Sequence, residues 1–242
     1  MRVAIISDIH GNLEAFLEVL TDIDRIGTDA ILCLGDIVGY GPDPEAVVQL
    51  LRQKRIPSVM GNHELALLSD VYFSRLNDST KKSLLITRSL LTEESMYYLK
   101  TLPETISAHG ARLVHGCPPA SVTVYLYDPS DRMLEKLFNA FAERICFVGH
   151  THNLALFGFD GSDVSRATLT EGFMQLVPNA RYIVNVGSVG QPRDRQNKNA
   201  KYVVWDTEQH TIEVRFVAYT ASITADKILK RGFPEYNATR LL

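Results

Sequence analysis

The sequence predicts an α/β fold, and three observations indicate it. Short apolar runs of strand length recur through about the first 190 residues. Helical patterns lie between several of these runs, an alternation typical of sheets whose central strands are buried on both faces. From about Leu154 the pattern changes to alternating strands joined by tight turns, which predicts a second sheet of mostly antiparallel strands.

The strands are predicted from apolar runs bounded by turn residues. The buried strands are predicted at Val3 to Ile6, Ala30 to Leu34, Ile56 to Met60, Ala111 to Val114, Ile145 to Val148 and Tyr182 to Val186. The later alternating strands are predicted at Leu154 to Phe159, Lys201 to Trp205 and Ile212 to Ala218, with a turn at Gly161-Ser162-Asp163.

The helices are predicted from apolar stripes of helical period. They cover Asn12 to Ile26, Pro44 to Lys54, Ser130 to Ala142 and Ser222 to Lys230. The segment 64–102 is rich in Leu, Ser and Tyr and predicts two or three helices inserted between strands. No repeat, low-complexity tract or Pro/Gly-rich linker interrupts the chain, so we expect a single domain over 1–242 with a helical insertion at about 64–102.

Composition excludes several classes of protein. The 242 residues are 45% apolar and 22% charged, which is typical of a globular chain and excludes disorder. No stretch approaches the roughly 18 consecutive apolar residues of a membrane span. Asp8 and His10 fall where a signal peptide would need its apolar core, so we expect a cytoplasmic protein with no membrane partner. Three cysteines without CxxC spacing argue against a disulfide framework.

The charge balance bears on partners. The net charge is −3, and Lys and Arg are scattered, so we expect no stable nucleic-acid binding. An anionic substrate would therefore need positive charge from another source. The seven histidines are the notable feature of the composition, because imidazole is the commonest metal ligand in proteins. Composition leaves homo-oligomer formation open.

Side chains of metal-ligand type follow five of the predicted strands, at the carboxyl ends where open α/β sheets place their ligand sites. The five blocks are Ser7-Asp8-Ile9-His10, Gly35-Asp36, Gly61-Asn62-His63-Glu64, His115-Gly116 and Gly149-His150-Thr151-His152. On an extended segment, Asp8 and His10 would leave the same face, as would His150 and His152. Polar residues at strand ends commonly cap turns, but their repetition after five strands favours a metal site.

The number of candidate ligands favours two metal ions. One metal with three or four protein ligands cannot use seven, whereas two metals that share a carboxylate can, as in phosphoryl-transfer sites. The candidate ligands are Asp8, His10, Asp36, Asn62, His115, His150 and His152. Two divalent ions against two carboxylates would leave a local charge of about +2, which would attract a phosphate.

Taken in order, the five blocks resemble those of the calcineurin-like metallophosphoesterases. The resemblance covers roughly residues 1 to 190, and five ordered blocks are far more specific than any single block. Gly39-Tyr40-Gly41-Pro42 and the stretch from Asn185 to Arg193 are similar to the bacterial single-domain branch. The implied fold is two packed mixed β-sheets flanked by α-helices, a four-layer α/β/β/α sandwich.

The resemblance also implies site roles. The first metal would be bound by Asp8, His10 and His152, the second by Asn62, His115 and His150, and Asp36 would bridge the two ions. His63 would hydrogen-bond the phosphate or protonate the leaving alkoxide. The implied activity is hydrolysis of phosphodiesters or nucleotide-like phosphoesters, including dinucleoside polyphosphates, by a metal-bound hydroxide. Nitrogen and oxygen ligands without thiolate suit Mn²⁺ first, with Fe or Zn as alternatives, and argue against Mg²⁺ or Ca²⁺ alone.

Other functions remain as alternatives. In the Ser/Thr protein-phosphatase branch the second block continues Gly-Asp-x-Val-Asp-Arg-Gly, but Gly39 and Tyr40 occupy the positions of its second Asp and its Arg. Arg193 or Arg195 could supply a phosphate-binding guanidinium instead, and Tyr40 could stack on substrate. A metal-binding interaction module without turnover is the remaining alternative, disfavoured because every ligand and His63 are present.

Overall fold

The computed structural model describes residues 1–194 and 197–242 of the chain, and all statements on its elements refer to these residues. The strands are β1 (Arg2–Ile6), β2 (Ala30–Cys33), β3 (Thr105–Ala108), β4 (Ala111–Val114), β5 (Ile145–Val148), β6 (Leu154–Phe159), β7 (Val164–Ala167), β8 (Gly172–Gln175), β9 (Arg181–Val186), β10 (Ala200–Asp206) and β11 (Thr211–Val217). The helices are α1 (Leu13–Ile26), α2 (Pro44–Gln53), α3 (Asn62–Leu68), α4 (Asp70–Ser74), α5 (Asp78–Leu90), α6 (Glu93–Lys100), α7 (Asp131–Asn139), α8 (Ala221–Lys230) and α9 (Glu235–Thr239).

The strands form two mixed sheets. One has the order β2-β1-β10-β11-β8, and the other has the order β3-β4-β5-β9-β6-β7. In the first sheet β1 is parallel to β2 and antiparallel to β10, with Ile5 opposite Val203. In the second sheet β4, β5 and β9 are mutually parallel neighbours, whereas β6 runs antiparallel to β9. The predicted pair of mixed sheets is therefore confirmed.

The expectation that the later strands form a sheet of their own is wrong. Strands β10, β11 and β8 extend the sheet that β1 and β2 begin, while β6 and β7 join the sheet of β4 and β5. Local alternation of apolar and polar residues sets which face of a strand is buried, but it carries no information on which distant strand is its partner.

The two sheets pack face to face. Val3 and Ile5 of β1 share one buried apolar cluster with Phe147 of β5 and Val184 of β9. The opposite face of β1 packs on α1, in a cluster that includes Ile6 and Phe16. Outside the second sheet, Leu134 and Phe138 of α7 pack against Cys146 and Val148 of β5. Helix, sheet, sheet and helix thus form the four predicted layers.

The region between β2 and β3 differs from the prediction. The expected strand Ile56 to Met60 is reduced to a single bridge between Ser58 and Cys33, because the helix that follows begins at Asn62. The expected two or three helices of 64–102 are four, α3 to α6. Strands β3, β7 and β8 are short and were not predicted. None of the helices within the described ranges has the length and apolar character that crossing a bilayer requires.

Candidate metal centre

The seven candidate ligands converge at the carboxyl ends of the central strands. Asp8 and His10 follow β1, Asp36 follows β2, His115 follows β4, His150 and His152 follow β5, and Asn62 is the first residue of α3. All seven are buried, with none more than 4% exposed. The convergence predicted from the strand ends is therefore present in the structure.

The backbone that presents these ligands is not extended. Five of them have positive φ, namely Asp8 (53°), His10 (51°), Asp36 (49°), His150 (65°) and His152 (61°). The argument that residues two apart share a face of an extended segment is consequently wrong, and His150 and His152 enter different groups of ligands. The left-handed conformation costs a non-glycine residue roughly 1–2 kcal/mol. Main-chain hydrogen bonds hold it here, from Asp8 N to Gly35 O (3.0 Å) and from His10 N to Asp36 O (2.9 Å).

The first group of ligand atoms comes from Asp8, His10, Asp36 and His152 and lies within a span of 4.8 Å. The Oδ1 atom of Asp8 is 3.2 Å from His152 Nε2, and Oδ2 of Asp36 is 3.6 Å from His10 Nε2. The two Nε2 atoms of His10 and His152 are 3.1 Å apart. Asp8 Oδ1 is buried and has no hydrogen-bond partner in the part of the chain that the structure describes. Its other oxygen accepts hydrogen bonds from Ser7 Oγ (2.6 Å) and His150 N (3.1 Å).

The second group comes from Asp36, His115 and His150, again within 4.8 Å. Nε2 of His115 lies 3.4 Å from Asp36 Oδ2 and 3.2 Å from His150 Nδ1. Asn62 adds its Oδ1 atom, 3.0 Å from the same His115 Nε2. Asp36 is common to both groups, so a single carboxylate joins two adjacent clusters of ligand atoms.

The main-chain hydrogen-bond partners of the four imidazoles indicate which kind of ligand the two clusters fit. Each of the four rings places its other nitrogen against a main-chain carbonyl oxygen: His10 against Val38, His115 against Leu34, His152 against Gln191 and His150 against Thr123. A ring that donates there directs a lone pair into the cluster. Lone pairs and carboxylate oxygens then face one another at about 3 Å, an arrangement that a cation relieves. The residues present therefore fit a metal ion in each group.

The pKa values reflect the same concentration of acceptors. Burial would raise the pKa of Asp36, but the neighbouring His115 and His63 hold it well below its usual range. Burial would lower the pKa of His115, but Asp36 and Asp8 raise it to about 9. Each shift favours the form that brings opposite charges together. The carboxylates thus demand positive charge, which protons or metal ions can supply.

Glu64 supports the shared carboxylate. Its buried side chain accepts hydrogen bonds from the main-chain nitrogens of Asp36 (2.8 Å), Gly61 (2.8 Å) and Val38 (3.1 Å). Burial, followed by repulsion from Asp36, raises its pKa to about 7. Sequence analysis assigned Glu64 no role, although its place in the third block directly after His63 was a signal. It fixes the turn that presents Asp36 without itself joining either group.

His63 lies beside the ligands. Its ring centroid is 4.7 Å from that of His10, and its Nε2 is 3.9 Å from Asp36 Oδ2. Its Nδ1 is buried, and no described residue offers it a hydrogen bond. Burial lowers its pKa, an effect that Asp36 only partly offsets. Gly39 (φ 133°) packs directly on this ring, and a Cβ at that position would overlap His63 Nδ1.

The substrate-binding candidates lie at the rim of the centre. Tyr40 packs its ring 4.7 Å from His10 and 4.5 Å from His63, measured between centroids. Arg193 donates from Nη1 to the hydroxyl of Tyr127 (3.2 Å), and its buried Nε meets no hydrogen-bond partner within residues 1–194 and 197–242. The other candidate, Arg195, lies outside the described residues.

Two aromatic residues near the centre escaped sequence analysis. The ring of Tyr125 stacks on the ligand His150, with centroids 3.6 Å apart, and Tyr127 follows it. Their alternation with Leu126, shortly after the His115 block, was the available signal. His109 and His210 belong to neither ligand group, as expected. Cys33, Cys117 and Cys146 are buried free thiols.

Comparison with known proteins agrees with this architecture. The profile of the calcineurin-like phosphoesterase superfamily domain matches residues 1–210. An uncharacterized protein from Methanocaldococcus jannaschii is 36% identical over 244 residues, covering 99% of this chain and 96% of its own length. The crystal structure of a metallophosphoesterase from Sphaerobacter thermophilus is 35% identical with a TM-score of 0.86, covering 100% of this chain and 98% of the other. A hypothetical protein from Pyrococcus horikoshii shares the fold, with 21% identity, a TM-score of 0.80, and coverage of 99% and 97%.

Proposed function

Since the chain belongs to the calcineurin-like phosphoesterase superfamily and is a metal-dependent phosphoester hydrolase, we propose that it uses two divalent metal ions to hydrolyse phosphodiesters or nucleotide-like phosphoesters. The observation that carries the proposal is the membership of Asp36 in both ligand groups. A shared carboxylate between two clusters is the arrangement that two-metal phosphoryl-transfer sites use.

The proposed ligand assignment follows the two groups. Asp8, His10 and His152 would hold one ion, Asn62, His115 and His150 would hold the other, and Asp36 would be shared between them. Bound ions of this kind supply a water that is nucleophilic at neutral pH and stabilise negative charge on the phosphoryl group. Mixed nitrogen and oxygen donors without thiolate favour Mn²⁺, with Fe or Zn as alternatives.

The protein contributes rigid orientation. Each imidazole of the proposed set directs one ring nitrogen toward the metal position and hydrogen-bonds a main-chain carbonyl oxygen through the other. Asp8 accepts hydrogen bonds from Ser7 Oγ and from the main-chain nitrogen of His150. Such partners orient the ligands, and their removal typically weakens metal binding or activity about 10–100-fold.

His63 has a distinct proposed role. Because burial lowers its pKa, the ring is neutral near pH 7 and still offers one N–H. We propose that it donates this hydrogen bond to the phosphoryl or leaving oxygen. A bound anionic substrate would raise the pKa of His63 and allow it to protonate a leaving alkoxide. A positioned acid of this kind contributes about 10²–10⁴-fold to the rate.

Arg193 and Tyr40 complete the proposed site. Among the described residues the buried Nε of Arg193 has no hydrogen-bond partner, so the guanidinium retains a donor for a phosphate oxygen. The ring of Tyr40 packs against His63 at the edge of the candidate centre. Both assignments concern substrate contact rather than metal binding.

A protein-phosphatase activity is less favoured. That branch supports its histidine with an aspartate at the position of Gly39, whereas here no side chain at residue 39 fits while His63 keeps its place. The Nδ1 atom of His63 is correspondingly unpartnered. A module without turnover is also less favoured, because all seven ligands and His63 are buried in one place.

The proposal is tested by metal content and a substrate panel. Purified protein is stripped, reloaded with Mn²⁺ and assayed on a bis-aryl phosphodiester, an aryl monoester, a dinucleoside polyphosphate and a phosphopeptide. We expect two ions per chain and turnover of the diester or dinucleotide. Asp36→Asn is expected to lose metal and activity, while Asp24→Asn, an exposed surface aspartate, retains both. One ion per chain would overturn the two-metal proposal, and activity on the phosphopeptide alone would overturn the substrate proposal.

A further inference from the structure

Two half-exposed tyrosines stand beside the metal centre on the segment between β4 and α7. Tyr125 is 46% exposed and Tyr127 is 57% exposed. The ring of Tyr125 lies on that of His150 with a centroid distance of 3.6 Å and an interplanar angle of 22°. The ring of Tyr127 is nearly parallel to that of Tyr125, at 5.1 Å and 6°. Three rings therefore follow one another from the ligand His150 toward solvent.

Local sequence explains this presentation. Leu126, between the tyrosines, is 3% exposed and belongs to the buried cluster that includes Phe138. The residues on either side of Leu126 are exposed, and the 6° angle between their rings places the two tyrosines side by side. Apolar faces exposed next to a reaction centre are a recognisable signal of a ligand surface.

The segment is fixed relative to the centre. Gly116 N and Cys117 N both donate to Ser121 O at 3.0 Å, and Val124 N donates to Ser121 Oγ at 3.1 Å. A Cβ at Gly116 would come within 2.8 Å of the carbonyl oxygens of Ser121 and Val124, so only glycine allows this close approach. The carbonyl of Thr123 meets His150 Nε2 at 3.2 Å. Hydrogen bonds thus connect His150 to the segment that carries the two tyrosines.

A cation adjoins the tyrosines. Arg193 Nη1 donates to the Tyr127 hydroxyl, and the charge of Arg193 acts on Tyr125 and Tyr40 as well. Tyrosine side chains are neutral phenols at pH 7, so the two rings add no negative charge beside this guanidinium. A flat uncharged surface beside a guanidinium suits a molecule that joins a planar group to an anion.

We propose that Tyr125 and Tyr127 form a stacking platform for a nucleobase, so that the substrate of the neighbouring centre is a nucleoside phosphoester. The inference rests on the proposed function, because it names the class of ester that the metal centre hydrolyses. Stacking of a base on an aromatic side chain is strong and tolerant of base identity, since every base has a π-face. The phosphate would then lie toward Arg193 and the ligands.

The test compares two ligands that differ only in the base. Binding of adenosine 5′-monophosphate and of ribose 5-phosphate to Mn²⁺-loaded protein is measured by titration calorimetry. We expect the nucleotide to bind about tenfold more tightly or better. Tyr127→Leu should reduce that ratio toward one, because it removes the outer ring of the platform. Tyr97→Leu, which alters a 71% exposed tyrosine on α6, is the matched control and should keep the ratio.

The outcomes separate the platform from the proposed function. A ratio of one in the wild type, or an undiminished ratio in both Tyr127→Leu and Tyr125→Leu, overturns the platform. An unchanged ratio in the variants, together with a lower solution mass, reassigns the tyrosines to self-association and also overturns it. Turnover of a bis-aryl diester by the loaded wild type is measured separately. Absence of all phosphoester turnover rejects the proposed function, whereas the affinity ratio alone decides the platform.

Discussion

The Nε2 atoms of His10 and His152 lie 3.1 Å apart, although the Nδ1 atom of each ring faces a main-chain carbonyl. With hydrogen on both Nδ1 atoms, two lone pairs meet in a buried site. In this protonation state the folded chain holds together groups that repel one another, and a cation between them would relieve the repulsion. Stability should consequently depend on metal.

Metal loading is expected to raise the melting temperature. An ion at 100 times its Kd stabilises a folded protein by about 2.7 kcal/mol, and for chains of this size 1 kcal/mol shifts Tm by about 2–4 °C. With two such ions bound, we predict a rise of roughly 10–20 °C with Mn²⁺ and its reversal by a chelator. Scanning calorimetry measures it. Asp8→Asn should show a smaller rise, and an equal rise in that variant would contradict the assignment of Asp8 as a ligand.

Replacing His63 should separate metal binding from turnover. His63→Ala removes a ring that belongs to neither ligand group, so we expect normal metal content and a fall in kcat of about 10²–10⁴-fold on an unactivated diester. His109→Ala is the control, because His109 also lies outside both groups. Metal analysis and steady-state kinetics are the measurements, and wild-type turnover by His63→Ala would sink the proposed role.

Gly39 should tolerate no side chain. In Gly39→Ala the added Cβ overlaps His63 Nδ1, so the ring must move or the backbone must shift. We predict a loss of activity of at least about tenfold, since small displacements at reacting groups cost up to about 10²-fold. Gly161→Ala has a comparable positive φ (107°) but meets nothing within 4 Å. Equal activity in the two variants would show that contact with His63 is irrelevant.

Ion pairs and hydrogen bonds around the buried Asp22 of α1 should make the stability of the protein fall at acid pH. Asp22 accepts hydrogen bonds from Arg215 (2.7 and 2.9 Å), Arg25 (2.5 Å) and the hydroxyl of Tyr202 (2.7 Å). Burial would raise its pKa, but these donors lower it from 3.8 to about 2. The folded state thus prefers the carboxylate, and this stabilisation is complete above the ordinary pKa and lost as pH falls through about 2.

Asp22→Asn should therefore destabilise the protein at pH 7 by about 1–3 kcal/mol, because hydrogen bonds to a charged group are lost. The difference from wild type should shrink between about pH 4 and pH 2. Urea unfolding at several pH values measures both effects. Asp24→Asn removes the exposed ion pair between Asp24 and Lys54 (3.6 Å). It should change the free energy of unfolding by less than about 1 kcal/mol. A pH-independent difference for Asp22→Asn would refute the cause given.

Much of the fold and site followed from local patterns. The apolar runs of β1 and β5 end two residues before the candidate ligands Asp8 and His150, so the strands and the candidate site could be predicted together. The partner of each strand could not be predicted in this way. The antiparallel pairing of β1 with β10, for example, joins Arg2 to Asp206 across most of the chain. The stacking of Tyr125 on His150 could not be predicted either, because the fold brings together two residues that are distant in the sequence.

The backbone around Asp8 is completed by residues that are synthesised much later. Val189 N donates to Ser7 O and Gly190 N donates to Asp8 O, each at 2.9 Å. A nascent chain that has not yet emerged past residue 190 lacks these bonds, and one shorter than 152 also lacks His152 itself. Pairings of such long sequence separation form late and slowly. We therefore expect metal to bind only after the late residues have folded back onto Asp8, so that an unfinished polypeptide would capture ions poorly.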